Sequence, residues 1–231
     1  MTINTSTHRS ILIQILKDIY TDVTLGPVLG FKGGTAAYLF YGLGRFSVDL
    51  DFDLLDSSKA DYVRARLETI LKEYGVIRED YKKQNTIFFM LSYEEEAQNI
   101  KVEVNLRDFG SKFEVLQHLG ISMKVMVRED MFAHKLVAMS ERLGKSNRDI
   151  FDVWFFLKRN WPINKVIVKK RTVTSFKRFM TNCISALEKM PDRGILAGMG
   201  ELLDAKQKAW AKENLRKDTI FLLKLKLEGE K

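Results

Sequence analysis

Ile11, Ile15, Leu16 and Ile19 recur at helical spacing within residues 8–20, behind the polar cap candidates Ser6 and Thr7, and so predict an amphipathic helix. A stretch punctuated by glycine and proline follows, with a short extended segment around residues 28–32. Residues 35–41 read as a helix opened by Gly33-Gly34 and stopped by Gly42. Residues 46–55 alternate polar and apolar side chains, the period of a strand with two different faces. A helix is predicted over 57–74, capped by Ser57 or Ser58. Strand-like runs come next at 86–93, 100–106 and 113–118, with a fourth at 123–127; the acidic residues 94–99 read as a hairpin turn between the first two.

Beyond residue 127 the period changes. Residues 129–143, 148–159, about 172–190 and much of 195–227 are helical in pattern throughout. The chain therefore divides into a mixed α/β part, residues 1–127, and an all-helical part, residues 128–231.

Composition narrows the class without naming it. Of 231 residues 45% are apolar and 29% charged, ordinary for a folded globular protein. The start lacks the basic-then-apolar pattern of a signal peptide, and no apolar run could span a bilayer, so a cytoplasmic protein without membrane contact is expected. Cys183 is the single cysteine, which excludes an internal disulfide and a cysteine-rich metal site. Charge is unevenly placed: residues 1–158 carry 21 basic and 22 acidic side chains, residues 159–231 carry 17 and 8. A basic last third suits a polyanion such as RNA; lysine-rich solvated helix faces are the plainer alternative.

The chemistry concentrates between residues 31 and 54. Asp49, Asp51 and Asp53 alternate with Leu50, Phe52 and Leu54, so one strand face would carry three carboxylates, successive ones roughly 7 Å apart. Like charges at that spacing repel, and a cation between them would relieve the repulsion. An oxygen-only site suits Mg²⁺, or Mn²⁺, rather than zinc. An acidic edge strand open to solvent is the alternative. Just upstream, Gly33-Gly34-Thr35 offers backbone N–H groups at a helix start, where a phosphate can approach closely, and a hydroxyl donor. A phosphate cradle and paired carboxylates on adjacent elements are the parts of a two-metal nucleotidyl transfer.

These residues carry a resemblance. G-G-T followed by R-F-S-x-D-L-D-F resembles the nucleotidyltransferase superfamily that includes DNA polymerase beta, and more closely the AbiEii/AbiGii toxin-type nucleotidyltransferases, the branch with the mycobacterial MenT toxins. The family's first motif falls on Gly33, Gly34, Thr35, Arg45, Ser47, Asp49 and Asp51. Its second, a helix with Lys and Arg followed by R-D-x-x-D, falls on Lys135, Arg142, Arg148, Asp149 and Asp152. The resemblance implies an α+β nucleotidyltransferase fold, a small mixed sheet with flanking helices, followed by a C-terminal helical bundle. It implies Asp49 and Asp51 as metal-holding catalytic residues, Gly33, Gly34 and Thr35 as triphosphate contacts with Arg45, Ser47 and Arg142 in support, and Lys135 as a further triphosphate contact oriented by Asp149 or Asp152.

The residues of the second motif can also be read directly. Residues 150–157 are apolar nearly all round, so their helix is expected to be buried, and Asp149 and Asp152, three apart, share one face of it. Buried carboxylates need cations opposite, and Lys135 and Arg142, seven apart on the preceding helix, are the natural partners. A purely structural ion-pair network satisfies the same pattern. For a third metal carboxylate, Glu103 lies on the polar face of an alternating strand with Lys101 and Asn105; Asp108 is less well placed, and Asp53 is read as a rim residue. His8, His118 and His134 show no metal-ligand spacing and are read as ordinary.

The expected activity is thus Mg²⁺-dependent transfer of a nucleotide from a nucleoside triphosphate to an acceptor. The resemblance implies RNA, such as the tRNA 3′ end, a type IV toxin and a cognate antitoxin. Protein nucleotidylation is the alternative enzyme, and a non-catalytic interaction protein on the same fold the alternative of another class.

Overall fold

In the computed structural model the described residues are 4–95 and 98–229, and they form two compact units, residues 1–127 and 128–231. Residues 96 and 97 of the expected hairpin turn lie outside the described residues.

The first unit is built on a seven-stranded mixed sheet. Its elements in chain order are α1 (Thr5–Thr21), a short α2 (Leu25–Val28), β1 (Leu29–Lys32), α3 (Gly33–Tyr41), β2 (Leu50–Leu54), α4 (Ala60–Lys72), β3 (Val76–Lys83), β4 (Thr86–Ser92), β5 (Ile100–Asn105), β6 (Phe113–His118) and β7 (Ile121–Met126). The strand order is β3-β4-β5-β2-β1-β7-β6, with β2 parallel to β5, β1 parallel to β7 and the other neighbours antiparallel. Alternation along the strands explains the layering. Phe31, Leu50, Phe52, Ile87, Phe89, Ile100, Val102, Val104, Met123 and Val125 are all fully buried and define one apolar face across five strands. The polar residues between them make the opposite face. α1 packs by Leu12, Ile15, Leu16 and Ile19, so the expected stripe holds except that Leu12 is buried where Ile11 was expected and Ile11 is half-buried. The cap is Asn4, which accepts from Thr7 N, and not Ser6 or Thr7.

Several expectations are corrected. The strand expected over 46–55 is shorter, Leu50–Leu54, so Asp49 stands just before it. The cap expected at Ser57 or Ser58 is Asp56, whose carboxylate accepts from Ser58 N and opens a 3₁₀ turn at Ser57–Lys59 before α4. β3 is an addition to the expected strands: Val76–Lys83 is an edge strand whose side chains are half-buried or exposed, so no apolar period marks it.

The second unit is helical among its described residues: α5 (Arg128–Arg142), α6 (Arg148–Lys158), α7 (Lys165–Thr172), α8 (Phe176–Lys189), α9 (Ala205–Trp210) and α10 (Arg216–Glu228), the last two joined by a π turn, Ala211–Leu215. α5 and α6 pack on each other, and Phe132, Val137, Ile150, Val153 and Phe156 are buried. The helix expected over about 172–190 is α8, which starts later, at Phe176, capped by Ser175; α7 is an addition before it, ended by the left-handed Val173. Among the described residues no helix is long and apolar enough to cross a membrane.

Candidate active site

Register assembles the polar face of the sheet. β1 lies antiparallel to β2 and β2 parallel to β5, which sets Lys32, Asp51 and Glu103 in one row across three strands, and Gly30, Asp53 and Asn105 in the next. Neighbouring strands are about 4.8 Å apart, so the Asp51 and Glu103 side chains rise side by side from the same face. Asp49 continues this line past the strand end, and its Oδ1 lies 3.4 Å from the Lys101 amide, which donates to it. Glu103 is exposed and its Oε1 accepts from the Thr86 hydroxyl at 3.3 Å.

Asp53 is corrected from a rim residue to a buried one. It pairs with Lys32 and accepts from Asn105 Nδ2 at 2.8 Å, so its charge is met within the sheet. Lys32 and Asn105 join the site beyond the expected set. Asn105 follows from strand alternation, whereas Lys32 depends on a pairing between strands that no local pattern reveals.

Gly33 opens α3 with φ +80, a left-handed conformation, and a Cβ there would overlap the Asp51 carboxylate. Both facts require glycine. A Cβ on Gly34 would likewise press on Ser47 Oγ, at 2.6 Å, and on the Arg45 guanidinium, at 3.1 Å. The N-cap residue of α3, Lys32, makes no side-chain cap, and the carboxylate of Asp51 lies against the helix start, where the helix dipole favours negative charge. The Thr35 hydroxyl, expected as a phosphate donor, donates to the Asp49 carbonyl and lies 3.0 Å from Ser47 Oγ. It fastens the segment that carries Asp49. Arg45 is 2% exposed and donates to the Phe46 carbonyl at 2.9 Å.

His8 is ordinary by its spacing, and its surroundings are not. The ring is fully buried, with Nε2 3.0 Å from the Val48 carbonyl and Nδ1 2.9 Å from the Tyr93 hydroxyl. Burial pushes its pKa below the usual histidine value, partly countered by the Val48 carbonyl and the Asp49 charge.

The second motif forms its own cluster in the helical unit. Lys135 Nζ lies 3.0 Å from Asp149 Oδ1 and 2.7 Å from Asp152 Oδ2, and both aspartates are fully buried. Arg142 Nη2 comes within 2.9 Å of Asp149 Oδ2 without the alignment of a hydrogen bond. α5 presents Lys135 and Arg142, seven apart, to the face of α6 that holds the two aspartates, as the spacing predicts.

The paired carboxylates, the glycine-started helix and the sheet define a nucleotidyltransferase fold. A family model for the AbiEii nucleotidyl transferase toxin of type IV toxin–antitoxin systems matches residues 14–219, and the chain belongs to that family. Its activity class is nucleotidyl transfer, with a nucleoside triphosphate and a divalent metal as the family's general requirements and an antitoxin as the family's partner. Two solved structures share the fold over their whole length. A candidate nucleotidyltransferase from H. pylori is 19% identical, with a TM-score of 0.62, covering 100% of this chain and 99% of that one. JHP933 from Helicobacter pylori is 21% identical, with a TM-score of 0.60, covering 100% and 96%. Among curated proteins none matches the chain significantly.

The residues present fit a hard divalent cation by their chemistry. Asp49, Asp51 and Glu103 are all oxygen donors, and Gly33 leaves the Asp51 carboxylate the room a side chain would fill. Among the described residues, no three acidic, histidine or cysteine side chains converge as they stand into a metal-holding group.

Proposed function

We propose that this chain transfers a nucleotide from a nucleoside triphosphate to RNA, such as the tRNA 3′ end, with Mg²⁺ held by Asp49 and Asp51 and by Glu103. The observation that carries the site is the register pairing of Asp51 with Glu103 beside the glycine-opened start of α3. The reading of RNA as acceptor rests on charge: residues 128–231 carry 23 basic and 13 acidic side chains, residues 1–127 carry 15 and 17.

The metal, when bound, supplies positive charge that favours the acceptor oxyanion and offsets charge building on the phosphates. The chain's own residues do the rest. Backbone N–H groups from Gly33, Gly34 and Thr35 receive the triphosphate, with the buried Arg45 guanidinium adding positive charge beside Gly34. Ser47 and Thr35 hold the Asp49 segment in place. The acceptor hydroxyl gives up its proton to solvent water as its oxygen forms a bond to the α-phosphorus, the bond from that phosphorus to the bridging oxygen breaks, and pyrophosphate leaves with the electron pair. In the helical unit Lys135, oriented by Asp149 and Asp152, is the candidate triphosphate contact, with Arg142 beside it.

The test is incubation with each labelled triphosphate, Mg²⁺ and total RNA. Label in an RNA band, lost on adding EDTA, is the expected result. Label in a protein band instead would make the activity protein nucleotidylation, and no transfer with any triphosphate would favour a non-catalytic interaction protein.

A further inference from the structure

The segment that carries Asp49 is not held by the sheet ladder. Residues 47–49 precede β2, and two side chains from distant parts of the chain grip consecutive carbonyls: His8 that of Val48, and Thr35 that of Asp49. His8 stands on α1, forty positions from Val48 and ahead of the residues that match the family model. A carbonyl only accepts, so Nε2 carries the ring proton and donates it to Val48; Nδ1 then accepts from the Tyr93 hydroxyl. Ring contacts close the remaining directions, with Phe46 edge-on at 5.9 Å and Tyr93 at 5.5 Å. A fully buried ring with both nitrogens committed has one orientation available, and so has the peptide it holds.

We infer that His8, with Tyr93 behind it, is a positioning residue that holds the Val48–Asp49 backbone so that the Asp49 carboxylate is presented for divalent-metal binding. Packing alone does not explain this choice of residue. An apolar side chain would fill the space on α1, whose other buried positions are Leu12, Ile15, Leu16 and Ile19, but would leave the Val48 carbonyl without this donor. The donor is aimed one residue from a candidate metal ligand, and Tyr93, at the end of β4, fixes which nitrogen donates. Outer partners that orient a ligand set metal affinity without touching the metal.

The inference rests on Asp49 as a metal ligand, and the test separates the two claims. Mn²⁺ binding to the full-length protein without nucleotide is titrated by electron paramagnetic resonance, alongside urea midpoints. His8→Phe keeps an aromatic ring and removes both hydrogen bonds; it is expected to weaken Mn²⁺ by about 10-fold. His8→Gln retains an N–H that reaches the Val48 carbonyl and is expected to recover most of that loss. Tyr93→Phe, which keeps the ring and removes only one hydroxyl, is expected to shift affinity in the same direction by less. Unchanged Mn²⁺ affinity in His8→Phe, or in Tyr93→Phe should His8→Phe not fold, overturns the positioning role, whatever happens to stability. Asp49→Ala is the control. If it binds Mn²⁺ as the native protein does, the metal assignment fails and the inference with it. If it loses Mn²⁺ while the His8 and Tyr93 variants do not, only the positioning role fails.

Discussion

Asp149 and Asp152 in the helical unit are fully buried, and Lys135 bridges them with Arg142 alongside. Asp51 in the α/β unit stands instead in a sheet row opposite another carboxylate, Glu103, while the cation of that row, Lys32, pairs diagonally with Asp53. The two regions use the same residue type in opposite company. Where the chain supplies a lysine between buried aspartates, it has met the cost of burying charge from its own sequence. Where it sets carboxylate beside carboxylate at the start of a helix, the arrangement favours an external cation. The group each aspartate faces sets the two regions apart, and the metal site proposed at Asp51 rests on that difference.

The largest expected effect breaks that comparison at Asp51. Asp51→Ala should lower transfer by more than about 100-fold, since loss even of outer partners costs 10–100-fold at metal sites. The same variant should keep or raise its urea midpoint in EDTA, because like charges directly opposite in a sheet are destabilising. Transfer within a few-fold of native would remove Asp51 from the metal site.

Lys135→Ala should behave in the reverse way. Removing the lysine that bridges two fully buried carboxylates breaks both of its ion pairs, a loss of about 3–5 kcal/mol in urea denaturation. Triphosphate affinity on the same protein decides its second role. An unchanged dissociation constant beside that stability loss would leave Lys135 purely structural; a weakened one supports the phosphate contact.

The contrast also explains what the sequence could reveal. Lys135, Arg142, Asp149 and Asp152 were legible because helical spacing is local: seven apart on α5 and three apart on α6 put each pair on one face by helix geometry alone. The pairing of Asp51 with Glu103 was only half legible. Alternation shows that Glu103 is on a polar face, but more than forty residues separate the strands, and register across them is set by the whole sheet. β3 escaped because an edge strand with polar side chains has no buried period to read. His8 escaped because its partners, Val48 and Tyr93, have no sequence relation to it, and a lone histidine at a helix start looks like any solvated one.

The charge imbalance between the units can be sharpened with salt. If the helical unit grips RNA phosphates, the logarithm of tRNA affinity should fall linearly with the logarithm of salt, the slope counting phosphates contacted. Lys169, Lys170, Lys177 and Arg178 are exposed, whereas Arg171 is committed to Glu141 and the His134 carbonyl. Neutralising those four should flatten the slope by roughly one for each phosphate that no longer meets a cation, with triphosphate binding unchanged. A slope that does not move would take this surface out of the interface.

The smallest effect is expected where the helical unit pairs charges in the open. Arg216 on α10 meets Asp192 through two contacts, at 2.6 and 3.0 Å, and reaches the Leu187 carbonyl at 3.3 Å at the end of α8. The Arg216 hydrogen bond holds the Asp192 carboxyl below the usual aspartate range, against a slight opposing effect of burial. A carboxyl whose pKa is lower folded than unfolded contributes stability above its unfolded value, near 3.9, and loses it as pH falls through the folded value. Asp192→Asn should therefore lower the urea midpoint slightly at pH 7, and the gap from native should close as pH falls below about 4. The contribution is small because Asp192 is exposed to water that screens the pair and solvates either partner alone. Lys135 differs in that respect: its partners have no water to fall back on. Urea midpoints for Asp192→Asn and Lys135→Ala at neutral pH make the comparison directly. A loss at Asp192 as large as at Lys135 would mean that burial does not set the worth of these charge pairs, and the large stability cost expected of Lys135→Ala would lose its physical basis.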